Sequence, residues 1–155
     1  MSSMRYSSEL TAFESAPGLI KQLLQYWQDK CGPDGDIPRR EQIRPWDIQP
    51  QLGRVCMIDV TQDPLDFVYR LDGTEISGSS NEDLKGRSIL EGTPAEIYRH
   101  IYDDLRQAYE RGAPTLFHVD YAHDDYKALY LRAIFPLCDN QPGDTLMTYS
   151  HSLLS

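Results

Sequence analysis

The chain has only three cysteines, Cys31, Cys56 and Cys138, and no two of them form a Cys-x-x-Cys pair. An odd, widely spaced set builds neither a disulfide framework nor a zinc knuckle, so reduced thiols in a reducing compartment are expected. Cys56, inside Val55-Cys56-Met57-Ile58, reads as a small buried hydrophobe. Long apolar runs are also missing. Nothing approaches the ~20 residues that cross a bilayer, and the opening MSSMRYSSEL has no apolar signal core. These absences predict a cytoplasmic chain with no membrane partner. Positive charge is scarce too: 15 Lys and Arg face 24 Asp and Glu, a net charge of −9, and Arg39-Arg40 with Arg44 is the nearest approach to a basic cluster. Such a surface repels phosphate backbones, which argues against nucleic-acid binding. With no GxSxG, no HExxH and no Gly-rich phosphate loop, the chain carries no enzyme signature.

What is present is the balance of one folded domain, with 155 residues, 40% of them hydrophobic and 25% charged. Residues 1–14 are polar and unpatterned and read as a flexible arm, followed by a single domain over 15–155. Ser15 can cap a helix and Pro17 suits its first turn. Ile20, Leu23, Leu24 and Trp27 then recur at helical spacing until Gly32-Pro33. Residues 32–52 form a Pro-rich linker with room for one helical turn between Pro45 and Leu52. Val55 to Val60 and Phe67 to Leu71 read as a hairpin across Thr61-Gln62-Asp63-Pro64. The small, polar stretch after Gly73 suits short helical turns. Thr93 and Glu96 match a capping box, with Pro94 opening a helix that runs to Arg111 and stops at Gly112. Ile97, Ile101, Leu105 and Ala108 share one face of it, flanked by Tyr98, Tyr102 and Tyr109. Three alternating strands follow: Phe117 to Tyr121, Leu129 to Phe135 with Pro136 as its end, and Thr145 to Leu153. Tight turns imply antiparallel pairing, and alternation implies one wet face. The fold class is α+β, a five-stranded antiparallel sheet with the long helix on one face.

This order of elements resembles that of a PAS domain. The segment EDLKGRSILE resembles the short helix and turn before the long helix of many such domains. IPRREQIRPWDIQPQLGRVCMIDV followed by DFVYRLDGTEI is similar to a bacterial family of stand-alone PAS-like proteins, PAS_5. The carrying residues are Trp27, Pro38 with Arg39, and Tyr69, Arg70, Leu71, Gly73 and Thr74, so the resemblance runs from about Leu19 to Leu153. It implies a PAS-like fold and a sensory or regulatory role, without an output module and without established catalytic residues.

The expected function is therefore a sensor that binds a small, mostly apolar molecule and signals to another protein in trans. A ligand-free interaction module is the rival. The predicted ligand-binding residues are Phe67, Tyr69, Ile97, Ile101, Leu105, Phe117, Tyr121, Leu131 and Ala133, with Leu71, Val119 and Leu129 in the same inward set. That set holds no charged side chain, which favours a neutral ligand. A homodimer is expected through Leu19, Ile20, Leu23, Leu24 and Trp27 on the first helix. No cofactor is expected: His100 lies about 120° from the apolar face of its helix, and no cysteine stands near Gly86-Arg87-Ser88 to react with a flavin. His118, Asp120 and His123 match no metal-ligand spacing, so no metal is expected. Arg70, between Tyr69 and Leu71, should point away from the pocket and pair with an acidic group of the linker.

Overall fold

The computed structural model describes residues 4–70 and 85–154. Its strands are β1 (Met4–Leu10), β2 (Val55–Thr61), β3 (Asp66–Arg70), β4 (Thr115–His123), β5 (Tyr126–Cys138) and β6 (Pro142–Ser152). Its α-helices are α1 (Gly18–Asp29), the single turn α2 (Gln49–Leu52) and α3 (Ala95–Arg111). Leu71 and the stretch after Gly73 where short helical turns are expected lie outside the described residues as far as 84.

The strands form one antiparallel sheet in the order β1-β4-β5-β6-β2-β3. It has six strands rather than the expected five. The extra one is β1, taken from the sequence as part of a flexible arm. It pairs with β4 from Met4↔His123 to Leu10↔Phe117 and forms one edge of the sheet. Its sequence, MRYSSEL, has no β-branched residue, and its Met4, Tyr6 and Leu10 are scattered among polar residues, so the usual strand signal is weak. Polar bonds described below hold it instead.

Both faces of the central strands are covered, against the expectation of one wet face. On one side Phe67, Leu105, Ala108, Phe117, Val119, Ile134 and Leu146 pack between α3 and the sheet. On the other, Ile20, Leu23 and Trp27 of α1 pack on Ala133, Phe135, Met147 and Tyr149. A strand buried on both faces is apolar at nearly every position, so alternation cannot say which face is which. Residues 131–137 of β5 are all buried. The strand also runs through Pro136, which was expected to end it. β4 reaches only as far as Thr115↔Ile134, so Pro136 pairs with β6 alone, at Leu146, and sits where one side of the ladder is already free.

Local chemistry sets the helix ends with small departures from expectation. α3 begins at Ala95 with Pro94 as its N-cap and no side chain capping it, so Thr93 and Glu96 form no capping box. Gly112 adopts φ 63° at the other end, the left-handed stop that glycine takes without strain. α1 begins at Gly18, and Ser15 belongs to the preceding 3-10 turn (Phe13–Ser15) rather than capping the helix. β4 and β5 meet in a two-residue loop, Asp124-Asp125, with Asp124 at φ 53°. Tight hairpins demand such a conformation, and aspartate tolerates it better than most residues. Among the described residues no helix is long and apolar enough to cross a membrane.

Candidate functional site

The space between α3 and the sheet gathers only part of the predicted ligand set. Phe67, Leu105 and Phe117 are fully buried there, with Tyr69 and Ile101 packed at their margin. Tyr121 lies toward the β1 edge, its ring 6.2 Å from that of Tyr6. Ile97 is half-buried but stands outside the cluster; Tyr98 and Tyr102 take the positions beside Ile101. Leu131 and Ala133 belong to the opposite face, under α1. The register explains this correction: Phe117 pairs with Arg132 and Leu116 with Ala133, so Tyr130, Arg132 and Ile134 are the β5 residues that face α3. The inward set was read one residue out of step along β5.

That slip hid a charge. The Arg132 side chain is 9% exposed and its Nη1 donates to Asp104 Oδ2 at 2.9 Å, with the Asp104 side chain 4% exposed on α3. Arg132 also donates to the Tyr6 hydroxyl at 3.1 Å and to the Tyr130 hydroxyl at 2.6 Å. Ser8 Oγ donates to the same Asp104 oxygen at 2.8 Å. Burial lifts the Asp104 carboxyl above the ordinary carboxylate range, despite Arg132 and the two hydroxyl donors from Ser8 and Tyr6 that pull it down. For Arg132, burial works against the charge but is outweighed by the Tyr130, Tyr6 and Asp104 oxygens, so the guanidinium holds its proton more firmly than usual. Burial also raises the Tyr6 phenol. The pair is neutral overall and ties β1, α3 and β5 together. With its charge balanced, it does not call for an anionic ligand.

A cleft opens beside β3, the other edge strand of the sheet. Residues 86–88 run along the outer edge of β3, where Tyr69 N donates to Arg87 O at 3.1 Å and Gly86 N to Tyr69 O at 2.7 Å. Ser88 Oγ donates to the Asp66 carboxylate, which also accepts from Leu90 N at 3.2 Å. From there the chain turns at Gly92 and Thr93 into α3. The walls enclose about 330 Å³ between Tyr69, Arg87, Ser88, Glu91, Thr93 and Tyr98. A side chain at residue 92 would run into the Tyr98 ring, so glycine there lets the ring close the cleft. Burial pushes the Tyr69 phenol well above its ordinary value, keeping it a neutral donor. Among the described residues neither the Tyr69 nor the Tyr98 hydroxyl has a hydrogen-bond partner. Arg87 and Glu91 contribute one charge of each sign. Of the predicted ligand set only Tyr69 lines this cleft. In the sequence Tyr98 flanks a core stripe and Thr93 matches a capping box, while Gly92 gives no signal.

The remaining sequence candidates are placed as follows. His100 is half-buried with its ring stacked on Tyr6 at 4.5 Å, at the β1 edge rather than over the sheet centre. No group of three or more His, Cys, Asp or Glu is gathered for a metal among the described residues. Arg70 does lie on the face opposite Tyr69, and its acidic partners include Asp59 on β2 at 3.3 Å and Asp139 in the β5–β6 loop at 3.4 Å. Asp139 in turn lies 4.0 Å from Arg40 of the linker, so the expected tie between linker and sheet runs through it. On α1, Ile20, Leu23 and Trp27 are buried in the chain's own core, and Leu19 and Leu24 are half-buried against it. The buried part of the stripe offered as a dimer contact thus packs on the chain's own sheet.

Comparison with known proteins agrees with this architecture. The PAS_5 family profile, described as a PAS domain, matches residues 17–148. No curated protein matches the chain, and no solved structure does. PAS domains are sensory or interaction modules, and the helix-covered antiparallel sheet is the fold such a module uses. With the match spanning most of its length, the chain belongs to the PAS domain family.

Proposed function

We propose that this domain is a sensor for a small, neutral molecule held in the Tyr69–Tyr98 cleft, and that it acts on a separate protein. The carrying observation is the cleft itself. Its volume of about 330 Å³ suits a compact ligand, and two phenol hydroxyls bordering it have no partner among the described residues. A ligand with an aromatic or aliphatic body and one polar atom would satisfy them. A free anion gains little, because Glu91 offsets Arg87 at the rim. Occupancy would bear on α3, since Tyr98 shares that helix with His100 and with Asp104, which carries the bonds to β1 less than two turns further on. A second reading, a ligand-free interaction module, is supported by the close packing of Phe67, Leu105 and Phe117, which leaves the predicted pocket centre filled.

Native mass spectrometry of the purified chain, followed by titration of whatever neutral molecule it retains, tests the first reading. Tyr69→Phe and Tyr98→Phe should each weaken binding about three- to tenfold, the worth of one hydrogen bond. Gly92→Ala, which forces the Tyr98 ring to move, should weaken it further. A retained molecule that binds all three variants as tightly as the parent would place the site elsewhere. If nothing is retained and no neutral ring fragment binds, the interaction module becomes the better reading.

A further inference from the structure

Among the described residues the outer edge of β1 is unpaired, and its residue order makes it complementary to itself. Thr11 N donates to Leu116 O at 2.9 Å, continuing the register in which Leu10 stands opposite Phe117. Bonded pairs alternate along an antiparallel ladder, so Arg5, Ser7 and Glu9 direct their backbone groups at β4. The N–H and C=O groups of Met4, Tyr6, Ser8 and Leu10 therefore point away from the sheet. Such an edge templates another strand unless something blocks it, and β1 has no proline and no bulge against β4.

We infer that β1 pairs antiparallel with β1 of a second copy, joining two sheets across a two-fold axis at Ser7. In that register Met4 faces Leu10 of the other copy, Tyr6 faces Ser8, and all four outward residues of each strand are bonded, giving about eight backbone hydrogen bonds. Arg5 falls opposite Glu9 of the other copy, and Glu9 opposite its Arg5. These are non-hydrogen-bonded positions, where cross-strand side chains approach most closely and opposite charges help. The Arg5 side chain is 62% exposed, so it can meet Glu9 while keeping Asp120 at 3.1 Å. Leu10, 51% exposed in the single chain, is covered by Met4. A slip of two residues either way parts Arg5 from Glu9, setting one of them against Ser7, and leaves outward groups unbonded, so one register stands out. This contact replaces the α1 stripe as the means of making a homodimer.

Sedimentation velocity on the intact chain, from dilute samples to ~1 mM, provides the test. A concentration-dependent dimer is expected. Glu9→Arg sets a second guanidinium against Arg5 of the other copy and should raise the dimer Kd by about tenfold or more. Glu9 has no side-chain hydrogen bond or ion pair among the described residues, so in dilute samples, where both chains are monomeric, this variant should keep the parent's melting curve. Arg5→Glu should dissociate likewise, and an equimolar mixture of the two variants should pair again as a heterodimer because every facing charge is then opposite. Leu10→Pro removes only an outward N–H and should also give a monomer, which keeps the inference testable if Arg5→Glu folds poorly. A parent chain monomeric throughout, or a dimer indifferent to both Glu9→Arg and Leu10→Pro, would overturn it.

Discussion

Replacing Arg132 with methionine is expected to cost about 3–5 kcal/mol of folding stability at neutral pH, read as a lower urea midpoint at unchanged slope. The loss comes from the partner left behind. Asp104 lies buried between α3 and the sheet, and without Arg132 its side chain keeps, among the described residues, only its bonds from Ser8 and Tyr6. Removing both charges together, as Arg132→Met with Asp104→Leu, should recover much of the loss, since a well-packed apolar pair often matches a buried ion pair. The pH dependence carries a definite sign. Burial already lifts the Asp104 carboxyl in the folded chain above its unfolded value, so the folded state holds that proton more tightly. A group of this kind favours folding fully below its unfolded pKa, and the contribution is lost as pH rises through the folded one. Taking away Arg132 widens that window upward. The single variant should therefore fall furthest behind the parent near pH ~8 and regain ground toward about pH 5. A deficit independent of pH would mean that Asp104 is not left as a buried charge.

The same ion pair marks where sequence reasoning stops. The long helices, the hairpins and the final three strands were legible because their apolar spacing and turn residues agree, as with Gly112 closing α3. The β1 strand was not, because Tyr6 and Ser8 are held by Asp104 and Arg132, partners 96 to 126 residues distant, through bonds that leave no local periodicity. Nor was the face of β5: Leu131 and Ala133 alternate with Arg132 and Ile134, and all four are buried. An arginine in the middle of such a strand, and an aspartate beside Leu105 on an apolar helix face, were the available signs that two charges meet inside. The cleft was half legible. Tyr69 came from strand parity, whereas Tyr98 and Gly92 enter only through the close approach of ring and backbone.

Trp27→Ala is expected to cost about 3–5 kcal/mol, the range for deleting a large buried aromatic side chain. The indole is 8% exposed, its ring centroid lies 6.4 Å from that of Phe135, and its Nε1 donates to the Pro136 carbonyl at 2.8 Å. Trp27→Phe keeps most of the contact and loses the hydrogen bond, leaving that carbonyl short of a donor, so about 1–2 kcal/mol is expected. The comparison also bears on how the domain is coupled. Phe135 and Ala133 meet α1 on one face of β5, while Arg132 and Ile134 meet the α3 side on the other. One strand thus sits beneath both helices, and loosening α1 should be felt across the sheet. Calorimetry at several protein concentrations separates the two roles available to the α1 stripe. Seated on its own sheet, as here, Trp27 contributes the same stability in dilute and concentrated samples, so the loss in Trp27→Ala should not vary with concentration. A loss that grows with protein concentration would show instead that the stripe is an interface between copies, and the packing of α1 on β5 would have to be abandoned.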